Sequence, residues 1–162
     1  MTIPFVRRAS GEVTAYLGDE SATLELGMRL ARTLVPGLRV YLSGDLGAGK
    51  TTLVRGCLRA LGYQGRVKSP TFSLVELYKL SSLYLYHFDF YRFEDPQEWR
   101  DAGFRDEFSG AGVCVVEWPE KAAGWIPAPD LRIALEHANT GRRARIAGDT
   151  EQGKLCLEKL VE

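Results

Sequence analysis

Residues 44 to 51 read GDLGAGKT, the pattern G-x-x-x-x-G-K-[ST] of a loop that cradles phosphate. Gly44, Gly47 and Gly49 accept backbone angles closed to other residues and let amide N–H groups approach a ligand closely. Those amides and the positive end of a following helix form an anion site. Lys50 supplies a compact cation for β- and γ-phosphates, and the Thr51 hydroxyl is placed to ligate magnesium. A glycine-rich turn that binds nothing is the alternative, but such a turn has no use for Lys-Thr at this register.

A hydrolytic phosphate site also needs an acid at the end of a neighbouring strand, to hold hydrated magnesium. Asp89 ends the run Tyr84-Leu85-Tyr86-His87-Phe88, and Glu117 ends Val113-Cys114-Val115-Val116. Both stand where strand runs out, at the carboxyl edge where ligands collect in α/β sheets. Glu117 follows the more apolar run and is the favoured metal-side acid. Asp89 then orders the attacking water or shares the metal. His87 faces the same side of its strand as Asp89; a packed core histidine is favoured over a general base. No zinc spacing and no Ser-His-Asp signature is visible. The guanine-reading pattern Asn-Lys-x-Asp is absent, the only asparagine being Asn139, which favours adenine.

The elements that must position these groups are legible around them. Leu38 to Ser43 is β-rich and leads into the glycines, and Thr51 to Leu61 follows with helical spacing before Gly62. Upstream, Asp19 or Ser21 caps a helix running to about Leu34, with Leu24, Met28, Ala31 and Leu34 as its apolar set. Residues 1 to 18 are weakly patterned, with a strand at Val13 to Tyr16. Ser73 to Leu80 and Leu83 to Phe90 read as an antiparallel hairpin turning at Ser81-Ser82. Asp95-Pro96 opens a short helix. Val113 to Val116 reads as a central strand covered on both faces. Pro119, Pro127 and Pro129 bracket an irregular segment. Leu131 to Glu136 alternates, with Ala144 to Ala147 its partner across Gly141, and Thr150 to Val161 closes the chain as a helix. The pattern is α/β, strand and helix around a phosphate loop, with residues 1–162 as one domain.

Composition narrows the function. Hydrophobic residues make up 45% of the 162, enough for a real core, and charges balance at 21 and 21. That balance argues against tight, autonomous nucleic-acid binding. Arg142, Arg143 and Arg145 read as a solvated strand face before an RNA contact. Cys57, Cys114 and Cys156 lie in apolar runs without C-x-x-C spacing, as buried thiols in a reducing compartment do. No hydrophobic leader follows Arg7-Arg8 and no run spans a membrane, so a cytoplasmic protein is expected. An ATP-hydrolysing switch and a small-molecule or nucleotide kinase both fit the loop. A kinase needs a lid with arginines, for which Arg92, Arg100 and Arg105 in segment 92–107 qualify. The same segment holds Glu94, Asp95, Glu98, Asp101, Asp106 and Glu107, and a solvated helix with a partner surface is preferred.

Several blocks resemble one family. GDLGAGKTTLVRGCLRALG at 44 to 62, VKSPTFSLVELY at 67 to 78, YHFDFYR at 86 to 92, DPQEW at 95 to 99 and VEWPEK at 116 to 121 are similar to the bacterial TsaE ATPases, which support threonylcarbamoyladenosine synthesis in tRNA. The phosphate loop is widespread, whereas SPTF, HFDFYR and EWPEK in this order are far more specific. The resemblance implies a phosphate-loop three-layer fold with a mixed central sheet, and a weak ATPase that binds ATP or ADP with Mg2+, partners TsaB and TsaD, and meets tRNA only through them. It implies phosphate contacts from Leu46, Gly47, Ala48, Gly49, Lys50 and Thr51, with Thr52 beside them, and magnesium held by Thr51 and Glu117. It makes Asp89 a functional strand-end acid, puts Thr71 in a switch-like loop near the γ-phosphate and Trp118 beside the site, and matches Glu20 and Arg142 to positions near base and ribose. Ser69-Pro70 gives that loop a stiff extended lead-in before the Thr71 hydroxyl, suited to ordering on a γ-phosphate–magnesium group and relaxing after hydrolysis.

Overall fold

A computed structural model describes residues 2–162. In chain order it runs β1 Val6–Arg7, β2 Val13–Leu17, α1 Glu20–Ala31, β3 Arg39–Ser43, α2 Lys50–Ala60, β4 Val75–Lys79 and β5 Tyr84–Asp89. Then come α3 Glu98–Asp101, α4 Arg105–Ser109, β6 Val113–Glu117, a 3-10 turn at Pro119–Ala122, β7 Leu131–Ala138, β8 Gly141–Gly148 and α5 Glu151–Val161.

All eight strands form one mixed sheet in the order β1-β2-β8-β7-β3-β6-β5-β4. Its centre, β7-β3-β6-β5, is parallel, and both flanks are antiparallel. The hairpin expected around Ser81-Ser82 is the β4–β5 pair, and the partner across Gly141 is β8. The stretch before residue 18 is more ordered than its pattern suggests: β1 and β2 extend the sheet edge through β8.

Strand alternation divides the core into two layers around the sheet. Val40, Leu42, Val113, Val115 and Ile133 pack with Leu26 and Leu30 of α1, Leu53 and Cys57 of α2, and Leu157 of α5. On the other face Tyr41, Phe88, Cys114 and Val116 meet Trp99 of α3, Phe108 of α4 and Phe104, which caps the start of α4. This is the expected three-layer α/β arrangement. β6 is buried along its whole length, as a central parallel strand should be.

Two local expectations need correction. The α1 face that packs inward is Ala22, Thr23, Leu26, Gly27, Leu30 and Ala31, whereas Met28 is exposed. The stripe lies a residue or two away from the Leu24–Met28 series, because Gly27 must face α2. A Cβ at Gly27 would meet the Leu53 carbonyl oxygen at 2.0 Å, and one at Gly56 would meet that of Leu24 at 2.2 Å. Helical spacing alone does not see a glycine that admits a neighbouring backbone. Segment 92–107 is likewise not one solvated helix. It holds two short helices, and Trp99, Phe108 and the intervening Phe104 fill the second layer beneath a charged exterior.

Candidate active site

β3 delivers the chain into the phosphate loop, and α2 begins at Lys50. Gly49 caps α2 at φ +108°, a left-handed angle that glycine adopts without strain, and no side chain covers the helix start. The first N–H groups of α2 therefore lack intrahelical partners and stay available for an anion. Gly44 passes so close to β7 that a Cβ there would meet the Leu135 carbonyl oxygen at 2.3 Å.

The loop borders a cleft of about 320 Å³ lined by Leu46 to Thr52, Ser69, Thr71, Asp89, Tyr91, Glu117 and Trp118. It thus gathers Leu46, Gly47, Ala48, Gly49, Lys50, Thr51, Thr52, Thr71, Asp89 and Glu117. Glu20 and Arg142 lie apart, in an adjoining cleft of about 290 Å³ that shares Gly47, Ala48, Gly49 and Thr52 with the first.

Lys50 is folded back on its own loop. Its Nζ donates to the Gly44 carbonyl and, at 3.1 Å, to that of Asp45, and lies 4.3 Å from the centre of the Trp118 ring. Burial pulls its pKa below the ordinary lysine value, against the opposing pull of the Glu117 and Asp89 carboxylates. Trp118 holds its place over Lys50 with left-handed backbone angles, φ 59° and ψ 47°, which strain a bulky residue.

The two acids are both 3% exposed and do different work. Glu117 accepts the Thr51 hydroxyl at 2.9 Å. Asp89 accepts from the Ser69 hydroxyl, from Thr71 Oγ1 at 3.5 Å and from the Tyr91 backbone N–H at 2.9 Å. Thr51 and Glu117 bring oxygen donors together at the cleft, the ligand chemistry magnesium prefers. Leu74, at φ 70°, closes the loop before β4: its N–H reaches the Pro70 carbonyl, and its carbonyl receives the Asp89 N–H.

Four features went beyond the sequence reading. Ser69 and Tyr91 bind Asp89, although only Thr71 stood out in the first segment and Asp89 in the second. His87 is wholly buried and packed, as expected, but its Nε2 also lies 2.7 Å from Glu117 Oε2. Arg142 is not part of a solvated face: its guanidinium donates to the Ala48 carbonyl at 3.1 Å and to that of Gly47 at 3.0 Å, gripping the loop from behind. Two of the three lid arginines lie over aromatic rings, Arg92 over Phe72 at 3.9 Å and Arg100 over Trp125 at 5.5 Å, and among the described residues no arginine lines the first cleft.

The three cysteines are buried and free. Among the described residues, no helix is long and apolar enough to cross a membrane.

Residues 17–145 match the family model for "Threonylcarbamoyl adenosine biosynthesis protein TsaE". Every candidate residue from Glu20 to Arg142 falls inside that span. A Haemophilus influenzae protein named tRNA threonylcarbamoyladenosine biosynthesis protein TsaE is 42% identical over 147 residues, 88% of this chain and 93% of that one. A Bacillus subtilis protein of the same name is 43% identical over 108 residues, 67% of each chain. A crystal structure of Bacillus subtilis YdiB aligns at a TM-score of 0.80 with 26% identity, covering 99% of this chain and 96% of that one.

Proposed function

The chain belongs to the TsaE family, and on that premise we propose that it is a cytoplasmic, magnesium-dependent, slow ATPase that supports threonylcarbamoyladenosine modification of tRNA. Residues 1–162 act as one phosphate-loop domain, as a nucleotide-dependent switch on TsaB- and TsaD-like partners, and meet tRNA through those partners.

One observation carries the reading: the first cleft joins the phosphate loop to both strand-end acids and to the Ser69–Thr71 loop. The α2 N–H groups and Gly47 to Thr51 take the phosphates. Lys50 leaves its loop carbonyls and meets the β- and γ-phosphates. Thr51 and Glu117 hold magnesium, which when bound neutralises charge building on the phosphate oxygens. Thr51 suits this task because a hydroxyl has one proton and two lone pairs. It can keep donating to Glu117 while a lone pair faces the ion. Asp89 orients the attacking water, or shares the metal, and holds Ser69 and Thr71.

The same bonds supply a route for switching. A γ-phosphate that recruits Thr71 competes with its long 3.5 Å contact to Asp89. The loop then has two arrangements, one per nucleotide, and a partner that binds one better senses hydrolysis. Phe72, 82% exposed beside Thr71, would move with it. Glu20 and Arg142 border the nucleoside side, Arg142 acting through the loop it grips.

The kinase reading has less support, since Arg92 and Arg100 cover aromatic rings and none of its three lid arginines lines the cleft. ATP hydrolysis measured with and without magnesium, and with Lys50→Ala and Glu117→Ala, tests the enzyme. Undiminished turnover in both variants would sink it. Co-purification with TsaB- and TsaD-like proteins in ATP against ADP tests the switch, and equal recovery in both defeats it.

A further inference from the structure

Glu117 has a contact that the ATPase scheme does not use. His87 stands on β5 with no exposed surface, between its register partners Glu76 on β4 and Val115 on β6. Its Nε2 lies 2.7 Å from Glu117 Oε2, the same oxygen that accepts the Thr51 hydroxyl at 2.9 Å. Oε1 has a longer contact, 3.3 Å, with Thr51. The other ring nitrogen, Nδ1, is buried and has no hydrogen-bond partner.

The donor inventory places the ring hydrogen. A carboxylate only accepts, so the nitrogen beside it carries the proton. Nδ1 has no partner among the described residues, so Nε2 is the one ring nitrogen that makes a hydrogen bond. Thr51, Glu117 and His87 then form one directed chain, both ends donating to the central carboxylate. A glutamate held only by a hydroxyl keeps rotameric freedom at its last torsions; a second donor from rigid strand removes it.

We propose that His87 is a positioning residue for Glu117. It pins Oε2 and leaves Oε1 oriented toward the cleft and the magnesium of a bound nucleotide. Groups of this kind, one bond behind a metal ligand, set its orientation and change metal affinity about 10–100-fold when removed. The inference rests on the magnesium–nucleotide reading above.

The test is calorimetric ADP binding to the full chain with and without magnesium, in wild type, His87→Asn and His87→Gln. A glutamine amide reaches roughly to where Nε2 stood and can donate to Glu117, whereas an asparagine amide stops near Nδ1. His87→Asn is expected to lower the magnesium-dependent gain in ADP affinity by about tenfold or more, with metal-free affinity unchanged and His87→Gln restoring most of the gain. An unchanged gain in His87→Asn, or equal losses in both variants with and without metal, overturns the role. No magnesium-dependent gain in wild type overturns the reading beneath it and the inference together. Should the variants not fold, ring-nitrogen NMR on wild type decides, since His87 and His137 are the chain's only histidines. A hydrogen on Nε2 of His87 supports the chain, and a bare Nε2 overturns it.

Discussion

Asp89 and Glu117 are register partners at the ends of two adjacent parallel strands, yet each is tied to a different loop. Glu117 receives Thr51 from the start of α2, the part proposed to grip nucleotide. Asp89 receives Ser69 and Thr71, the part that could answer to it. A carboxylate pair that close would normally be treated as one unit. Here the hydrogen bonds separate their roles.

Substitution should separate them too. Glu117→Gln is expected to weaken magnesium-dependent ATP binding by about tenfold or more, while leaving metal-free ADP binding intact. Asp89→Asn is expected to spare binding and lower turnover by about 10²–10³. It should also abolish any difference between ADP and a non-hydrolysable ATP analogue in amide-exchange protection of residues 69–74. Calorimetry beside exchange measurements checks this, and identical defects in the two variants would contradict it.

Lys50 gives a pH signature. In the free protein burial lowers its pKa from the ordinary lysine value. Phosphate at the same nitrogen favours the charged form and raises it. Between the lowered and the raised values the free protein has lost a proton that the complex keeps, so binding takes one up. Calorimetry of ADP binding in buffers of different ionisation enthalpy should therefore show proton uptake in the pH window between the two values, falling away below it and absent in Lys50→Ala.

Gly27 and Gly56 should behave against helix propensity. Alanine in mid-helix normally gains about 1 kcal/mol over glycine. Here the added methyl would sit 2.0 Å or 2.2 Å from a backbone oxygen of the facing helix, which cannot swing aside as a side chain can. Overpacking costs about 1–3 kcal/mol, so Gly27→Ala and Gly56→Ala are expected to lower stability in urea unfolding. Because the helix displaced is α2, ADP affinity should fall with it.

What could be read from the sequence followed the type of signal. Period-2 and apolar runs placed β3, β5, β6 and β7, and GDLGAGKT with two strand-end acids marked most of the first cleft, because those signals are local. Met28 misled because α1 chooses its buried face by fitting Gly27 to a backbone 26 residues ahead at Leu53, a condition periodicity does not carry. Arg142 sits in a basic run and looks solvated, until the β7–β8 hairpin brings it behind Gly47. Trp99, Phe104 and Phe108 hid among charges, since helices of four and five residues show too few turns for a stripe. Long-range contacts such as Asp89–Ser69 leave a trace only as motifs whose reason is invisible before folding.

The thiols should be silent in the native state. Burial pushes Cys57 and Cys114 up to about 12, and raises Cys156 as well. An acid whose pKa rises yields less of its anion at a given pH, and the thiolate is the reacting species. Native protein at pH 8 is therefore expected to resist alkylation, with labelling that tracks unfolding in denaturant. Fast labelling of folded protein would contradict the burial.

Arg142 offers a choice between two roles. Its guanidinium spans the Ala48 and Gly47 carbonyls at 3.1 and 3.0 Å, and it borders the cleft shared with Glu20. If the grip on the loop is what matters, Arg142→Ala loosens the phosphate cradle whatever nucleoside is attached. Affinity for ADP, GDP and pyrophosphate should then drop together, by about tenfold for a hydrogen bond from a charged donor worth about 1.5 kcal/mol. Arg142→Lys should not rescue it, because an ammonium cannot reach two carbonyls with one planar fork. If the side chain instead reads the base, ADP affinity falls, pyrophosphate affinity does not, and the preference for ADP over GDP shrinks. Competition binding with the three ligands distinguishes the roles, and the geometry predicts the uniform loss.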